Sequence, residues 1–284
     1  MVREALDFLN LRKGGVYVDA TVGPGGHSEA ILSHLGTEGL LICLDRDEET
    51  LLLARKRLGT ERVRFIHTRF SGMGVALREI DIEKVDGVLM DFGVSMDQLK
   101  TPERGFSFRE EEALDMRMDR SDTLTAHEVV NSWPESEIAR VIFEYGQERR
   151  SRRIAASICR ARGRKPIATG LELAEIVSSA VGKGGKSHPA TRTFQGLRIA
   201  VNSELEEIDA GLEAAVSCLR SPGGRLVTIA YHSLEDGLAK RFMREAARQG
   251  RVELLTKKPL VPERSETKAN PSARSAKMRA VEAL

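Results

Sequence analysis

The sequence predicts an α/β protein: a parallel sheet with helices on both faces, interrupted by an inserted helical domain. Three observations carry that prediction. Short apolar runs alternate with helix-patterned stretches between residues 16 and 91. Three of those runs close on an aspartate, at Asp19, Asp45 and Asp91. More than 100 residues then separate Asp91 from Ser203, where the pattern resumes. A crossover between parallel strands needs only about a dozen residues, so the segment between is an insertion.

The elements follow in order. VYVDA (16–20) is strand-like, and 28–35 reads as helix. LLICLD (40–45) is a second strand, followed by a helix over 48–58 with leucines at helical spacing and basic residues near its end. VRFIH (63–67) is a third strand and VDGVLMD (85–91) a fourth. Strand and helix alternating at this spacing imply a parallel sheet. The insertion carries helical patterns at 126–131, 135–145, 152–162 and 171–181, punctuated by Gly and Pro at 102–105, 163–170 and 182–189. Its expected bounds are 104–201, leaving 1–103 and 202–284 to the sheet domain. A helix over 203–218, the strand GRLVTIA (224–230), a helix over 234–247, the strand VELLT (252–256) and a basic end piece complete the chain.

Bulk properties narrow the class. The 284 residues are 41% hydrophobic and 30% charged with a net charge of +2, which suits a globular protein and by itself demands no nucleic-acid partner. Cys43, Cys159 and Cys218 lie far apart and are odd in number, so neither a disulfide framework nor a metal-ligand spacing is present. No apolar stretch approaches the roughly 18 residues of a membrane span, and MVREALDFLN carries acids where a signal peptide is apolar. The expectation is a cytoplasmic protein with no membrane partner and no metal.

The glycine turn after the first strand, DATVGPGGHS (19–28), raises the question of a ligand. It lacks the Gly-Lys-Ser/Thr ending of a phosphate-binding loop, and the third glycine of a dinucleotide turn is missing. A nucleoside without phosphates, such as S-adenosylmethionine, fits better. Glycines let the backbone approach its amino-acid end, whose carboxylate suits helix N-terminal amides. Asp45 can accept both ribose hydroxyls, and Asp91 closes a strand near the same crevice, where ligands of parallel sheets sit. Two alternatives stay open on pattern alone: a tight turn with acids that merely cap helices, and a nicotinamide oxidoreductase.

Longer motifs carry a resemblance. DATVGPGGHS, DFGVSMDQL with RGFSF and LDMRMD, HPATRTFQGLRIAVNSEL, GGRLVTIAYHSLED, KKPLVP and NPSARSAKMRAVE occur in order from about residue 3 to 283. Together they resemble the MraW, or RsmH, family of ribosomal RNA small-subunit methyltransferase H enzymes. The resemblance implies a seven-stranded Rossmann-like class I methyltransferase sheet, with the helical insertion after the fourth strand recognising RNA. It implies S-adenosylmethionine as cofactor and methylation of the N4 amine of a cytidine in the decoding region of 16S rRNA, within the small ribosomal subunit. It places cofactor contacts at Gly25, Gly26, His27, Asp45, Phe70, Asp91 and Gln98. Phe70 would face the adenine ring, and Gln98 offers a donor and an acceptor. Three departures from the family pattern stand out. The chain starts at Met1-Val2-Arg3-Glu4 without the usual His-x-Pro-Val stretch, Phe92 replaces a common leucine, and Met96-Asp97 replaces a small-residue pair.

Methyl transfer from a sulfonium needs no metal. The cytosine amine is a poor nucleophile because its lone pair is delocalised, so the enzyme must align it and accept its N–H hydrogen bonds. Asp91 is the first candidate for that task, the alternative being that it only binds the cofactor, and His232 of AYHSLED is the candidate proton acceptor, the alternative being a structural role. Tyr231 either stacks on the base or is a strand-end aromatic. A target base must leave its stack, which favours single-stranded RNA. GQERRSRRIAASICRARGRKP (146–166) holds eight basic residues against Glu148, and Arg192, Arg198, Lys257, Lys258, Arg274, Lys277 and Arg279 add to it. Such an excess of one sign suits phosphates. The insertion also carries acids at Glu110–Glu112, Asp115 and Asp119. In HPATRTFQGLRIAVNSEL, Phe194, Leu197, Val201 and Leu205 have core spacing, leaving Thr191, Arg192, Arg198 and Asn202 as substrate contacts or anchors.

Overall fold

The computed structural model describes residues 1–108, 111–182 and 188–284, apart from the side chain of Lys100. Glu110 and the 183–187 part of the glycine-rich stretch lie outside the described residues. Two compact units emerge, Met1–Gly93 with Leu205–Leu284, and Val94–Glu204.

The first unit is built on seven strands: β1 (Val16–Asp19), β2 (Leu40–Asp45), β3 (Val63–His67), β4 (Gly87–Asp91), β5 (Arg225–Ala230), β6 (Val252–Leu254) and β7 (Lys277–Ala283). Their order across the sheet is β3-β2-β1-β4-β5-β7-β6. The first five are parallel, with Val18 opposite Ile42 and Val88, and Leu89 opposite Val227. β7 enters antiparallel between β5 and β6, so the sheet is mixed rather than purely parallel. The pattern of apolar runs misses β7 because its residues Lys277, Arg279 and Glu282 interrupt the run. Two of those charges are held by one acid: Arg279 and Lys277 pair with Asp236 at 2.7 and 3.5 Å.

Strand side chains alternate between faces, and both faces are covered, so the runs are apolar throughout. Val18, Ile42, Leu44, Val88, Met90 and Leu226 pack on one side with Met73, Leu77, Ile208, Leu212, Ala239 and Met243. Tyr17, Leu41, Cys43, Leu89, Val227 and Met278 pack on the other with Ala5, Leu9, Ile31, Leu35 and Ala54. The covering helices are Met73–Glu79, Glu204–Cys218 from Leu205 onward and Ser233–Arg248 on the first side, and Val2–Leu9, Gly26–His34 and Glu48–Leu58 on the second.

The second unit has its own core, which is what lets an insertion fold without breaking the sheet domain. Helices Ala126–Ser132, Glu135–Glu144, Ser151–Arg162, Gly170–Val181 and Thr191–Asn202 bury Val129, Ile138, Val141, Ile142, Ile154, Ile158, Leu173, Val177, Phe194 and Leu197. Caps set where the helices start. Thr125 accepts from Glu128 N, and Thr169 and Glu172 form a reciprocal capping box. The sequence boundaries of 104 and 201 fall inside this unit, because the chain from Val94 already packs on its core and Arg104 donates to the carbonyls of Arg117 and Met118. Arg198 is tied to Glu204 by two hydrogen bonds of 2.7 and 2.8 Å, and Asn202 bridges Met116 O and Met118 N. Both polar residues thus anchor the unit internally. Among the described residues no helix is long and apolar enough to cross a membrane.

Helix Thr191–Asn202 approaches the end of helix Glu135–Glu144 at Gly196. A Cβ there would lie 2.8 Å from Val141 O and 3.1 Å from Gly146 N. Gly196→Ala should therefore force the helices apart and lower stability by about 1–3 kcal/mol, read as a lower urea midpoint. An unchanged midpoint would contradict the close contact.

Candidate active site

The carboxyl ends of β1, β2, β4 and β5 bring the strand-end acids together. The turn after β1 is sewn to both neighbouring strands: Ala20 N donates to Leu89 O at 2.9 Å and Val22 N to Leu44 O at 3.0 Å. Gly25 N closes the turn on Val22 O at 2.8 Å. Gly25 sits at φ 87°, a left-handed conformation that glycine alone adopts without strain. It caps helix Gly26–His34, whose first amides have no partner within the helix and form a place for an anion. At Gly26 the position of a Cβ meets nothing within 4 Å, so the backbone is open to approach.

Asp45 is fixed by two backbone donors: Gly23 N reaches Oδ2 at 3.1 Å, and Asp47 N reaches Oδ1 at 3.0 Å. Burial outweighs both and pushes its carboxyl up to about 7. Each oxygen keeps a second lone pair, an arrangement suited to a vicinal diol.

The wholly buried Asp19 and Glu235 and the half-buried Asp91 form an acidic group. Asp19 is wholly buried and accepts from Ser28 Oγ at 2.7 Å and Thr21 N at 3.2 Å; burial raises its pKa. Thr21 Oγ1 accepts from Asp91 N at 2.7 Å, tying the turn to the end of β4. Asp91 Oδ2 lies 3.6 Å from His27 Nδ1, an ion-pair distance when the ring is charged. Burial pushes Asp91 up to about 6, with His27 and the Tyr231 hydroxyl opposing and Asp19 and Glu235 adding to the rise. Burial, then the neighbouring Asp91, pushes the Tyr231 phenol up as well.

Glu235 is also wholly buried. Its Oε2 accepts from Tyr231 N at 2.8 Å and His232 N at 3.2 Å. His232 returns the bond, its Nδ1 accepting from Glu235 N at 3.4 Å. His232 thus caps helix Ser233–Arg248 in a capping box. With Nδ1 as acceptor the ring proton belongs to Nε2, 3.1 Å from Glu235 Oε1.

Phe70 opens the turn after β3 and meets Phe92 edge-on, with ring centroids 6.1 Å apart. Gly211 makes room for it, since a Cβ there would stand 2.4 Å from the Phe70 Cβ. Gln98 belongs to the other unit. There its Oε1 accepts from Ser95 N at 2.9 Å and its own N–H bonds Ser95 Oγ at 3.1 Å, a second capping box. Of the residues expected at the cofactor, Gly25, Gly26, His27, Asp45, Phe70 and Asp91 stand in the sheet unit and Gln98 in the inserted one.

The structure adds Thr21, Ser28 and Glu235 to the expected set. Glu235 had a signal, the three-residue spacing of a capping box after His232. Ser28 had none, since its bond to Asp19 depends on how the helix lies against β1. Among the buried polar atoms of the site that make no hydrogen bond are His27 Nε2 and Asp91 Oδ1. Unsatisfied buried groups cost about 1–3 kcal/mol each. They suit a polar ligand, and with the open backbone at Gly26 and the diol-shaped acceptor at Asp45 the residues fit a nucleoside bearing an amino-acid group.

Known proteins similar to this chain share one family. The model of the MraW methylase family matches residues 1–284. A ribosomal RNA small subunit methyltransferase H from Acidobacterium capsulatum is 49% identical over 293 residues, covering 99% of this chain and 96% of that protein. The protein of the same name from Geobacter sp. strain M21 is 46% identical over 301 residues, with 99% and 96% covered. The crystal structure of a proposed rRNA methylase from Clostridium thermocellum aligns with a TM-score of 0.51 at 13% identity, covering 100% of this chain and 97% of that one; it shows the fold alone.

The raised pKa of Asp91 gives a prediction with a definite sign. An aspartate in the unfolded chain titrates near 3.9, and in the folded protein near 6. Its contribution to stability is therefore present below the unfolded value and lost as pH rises through about 6. Asp91→Asn removes the buried charge, so the variant should melt above the parent at pH 8, by roughly 2–4 °C, and level with it at pH 4. Equal melting temperatures at both pH values would contradict the buried, poorly compensated carboxylate.

Proposed function

The chain belongs to the MraW methylase family, and from this we propose that it methylates the N4 amine of a cytidine in the decoding region of 16S rRNA. In coarser terms it is a methyltransferase that acts on small-subunit rRNA and uses S-adenosylmethionine, as its family does. The observation that carries the finer reading is Asp91, a half-buried carboxylate at the end of β4 whose buried Oδ1 makes no hydrogen bond.

When bound, the cofactor supplies a methyl group activated by sulfonium. The chain's residues do the rest. Gly25, Gly26 and His27 would hold the amino-acid end, Asp45 the ribose hydroxyls, and Phe70 the adenine. Asp91 orients the cytosine amine by accepting an N–H hydrogen bond, which strengthens as positive charge develops on nitrogen. Ionised above about pH 6, it can also take the proton that the amine sheds. His232 was the other candidate acceptor. Its Nδ1 bond to a helix amide supports a capping role instead, and Tyr231 supports Asp91 through its hydroxyl. The small ribosomal subunit, rather than naked RNA, is the proposed substrate, because the inserted unit offers more surface than one nucleotide needs.

The test is label transfer from methyl-labelled S-adenosylmethionine to small subunits lacking the modification, followed by nucleoside analysis. Label in N4-methylcytidine is expected; label in any other nucleoside would refute the proposal. Asp91→Ala should lower kcat by about 10²–10⁴-fold and abolish the fall in rate below pH 6. His232→Ala should cost about 1 kcal/mol of stability through the lost cap and leave the pH profile in place. A profile that vanished with His232 would move the acceptor role to the histidine.

A further inference from the structure

The basic stretch at 146–166 divides, in the structure, into residues that the fold uses and residues that it leaves free. Arg150 donates to Val181 O and Arg162 to Val130 O, so both are helix-to-helix ties. Lys165 pairs with Glu172 at 3.1 Å, and Arg192 lies 3.8 Å from Glu148. Arg149, Arg152, Arg153 and Arg164 are exposed and have no partner among the described residues, and Arg160, also exposed, contacts only the neutral Ser157 Oγ at 3.1 Å. No acid occurs between Glu148 and Glu172. The nearby acid of the preceding helix, Glu135, acts on Cys159.

The helix explains why these arginines are free. Ser151, Ile154, Ala155 and Ile158 form the buried stripe of Ser151–Arg162. Arg153 and Arg160 are seven residues apart, two turns and about 10 Å along the axis, and fall opposite that stripe. Arg149 and Arg164 are exposed in the turns just beyond the two helix ends. A solvated face ordinarily mixes signs at helical spacing; helix Glu135–Glu144 does so, Arg140 pairing with Glu137 and Glu144. The free stripe does not, and it holds charge of one sign at the cost of self-repulsion. No large hydrophobic residue is exposed anywhere on it, so it lacks the apolar face that a membrane-lying helix buries.

We propose that Arg149, Arg153, Arg160 and Arg164 form a sequence-independent track for the phosphodiester backbone of the RNA substrate, separate from the residues that select the base. The proposal rests on the RNA reading above and deepens it. Guanidinium groups bind phosphate in pairs of hydrogen bonds and stay charged at any working pH. A track of this kind fixes the strand's position while carrying no sequence information. Of the other basic residues noted in the sequence, Arg198, Lys277 and Arg279 are held in ion pairs, whereas Lys257, Lys258 and Arg274 are exposed and belong to the sheet unit.

The test is binding of fluorescein-labelled oligouridine to the full chain, followed by anisotropy across a salt series. The parent is compared with the quadruple Arg→Ala variant at 149, 153, 160 and 164, the quadruple Arg→Lys variant, and a charge-matched control with Lys56, Arg78, Arg241 and Arg244 changed to Ala. Four lost phosphate contacts should flatten the slope of log affinity against log salt by about 3 and weaken binding at least ~10-fold at low salt. The lysine variant should keep most of the affinity and the control nearly all of it. Alanine is a good helix former, so an unchanged circular dichroism spectrum and urea midpoint are expected. An unchanged salt slope in the alanine variant, or an equal loss in the control, would overturn the track. So would binding of the parent to anionic vesicles but not to oligouridine. Methylation of subunits is scored separately: transfer without a slope change refutes the track and leaves the enzyme reading standing, while a slope change without transfer does the reverse.

Discussion

Everything at the active end of the sheet depends on holding three carboxyl groups close together, the wholly buried Asp19 and Glu235 and the half-buried Asp91, with His27 beside Asp91 and His232 beside Glu235. Burial of like charges is costly, and the local structure is arranged to contain it. Ser28 and Thr21 N satisfy Asp19. Two backbone amides donate to Glu235 Oε2, and in doing so set the start of the helix that follows β5. Asp91 keeps Oδ1 without a hydrogen bond, and its pKa is raised to about 6. A stability-optimised protein would replace it; a protein that must meet a developing positive charge would keep it. The strain thus points to the chemistry.

Much of this was legible in the sequence, and the failures have physical causes. Apolar runs closing on Asp19, Asp45 and Asp91 located the first, second and fourth strands and their acids, because strands covered on both faces need unbroken apolar residues. β7 escaped because Lys277, Arg279 and Glu282 break its run, and its two basic residues are neutralised by Asp236 from a distant helix. No local window contains that pairing. His232 reads in the sequence either as a proton acceptor or as a structural residue, and Glu235 three residues on is the signature of the cap it forms. Charge counts could not separate Arg198, locked to Glu204, from Arg153, which has no partner among the described residues.

The inserted unit follows a different rule from the sheet. Its five longer helices close around their own core, which frees its outer surfaces from any role in holding the sheet together. Binding charge can then accumulate on Arg149, Arg153, Arg160 and Arg164 without destabilising the catalytic end. The two units differ physically: one gathers acids of raised pKa at the ends of its strands, and the other leaves arginines exposed on its surface.

The most direct test of this account is the number of protons released when S-adenosylmethionine binds, measured by calorimetry at pH 6 in buffers of different ionisation enthalpy. Asp45 and Asp91, at about 7 and about 6, are partly protonated there. Ribose hydroxyls donating to one and positive charge beside the other both favour the ionised forms. The account predicts a net release, approaching about one proton at pH 6 and vanishing by pH 8. No release, or uptake at pH 6, would mean that these carboxylates do not meet the ligand and would contradict it.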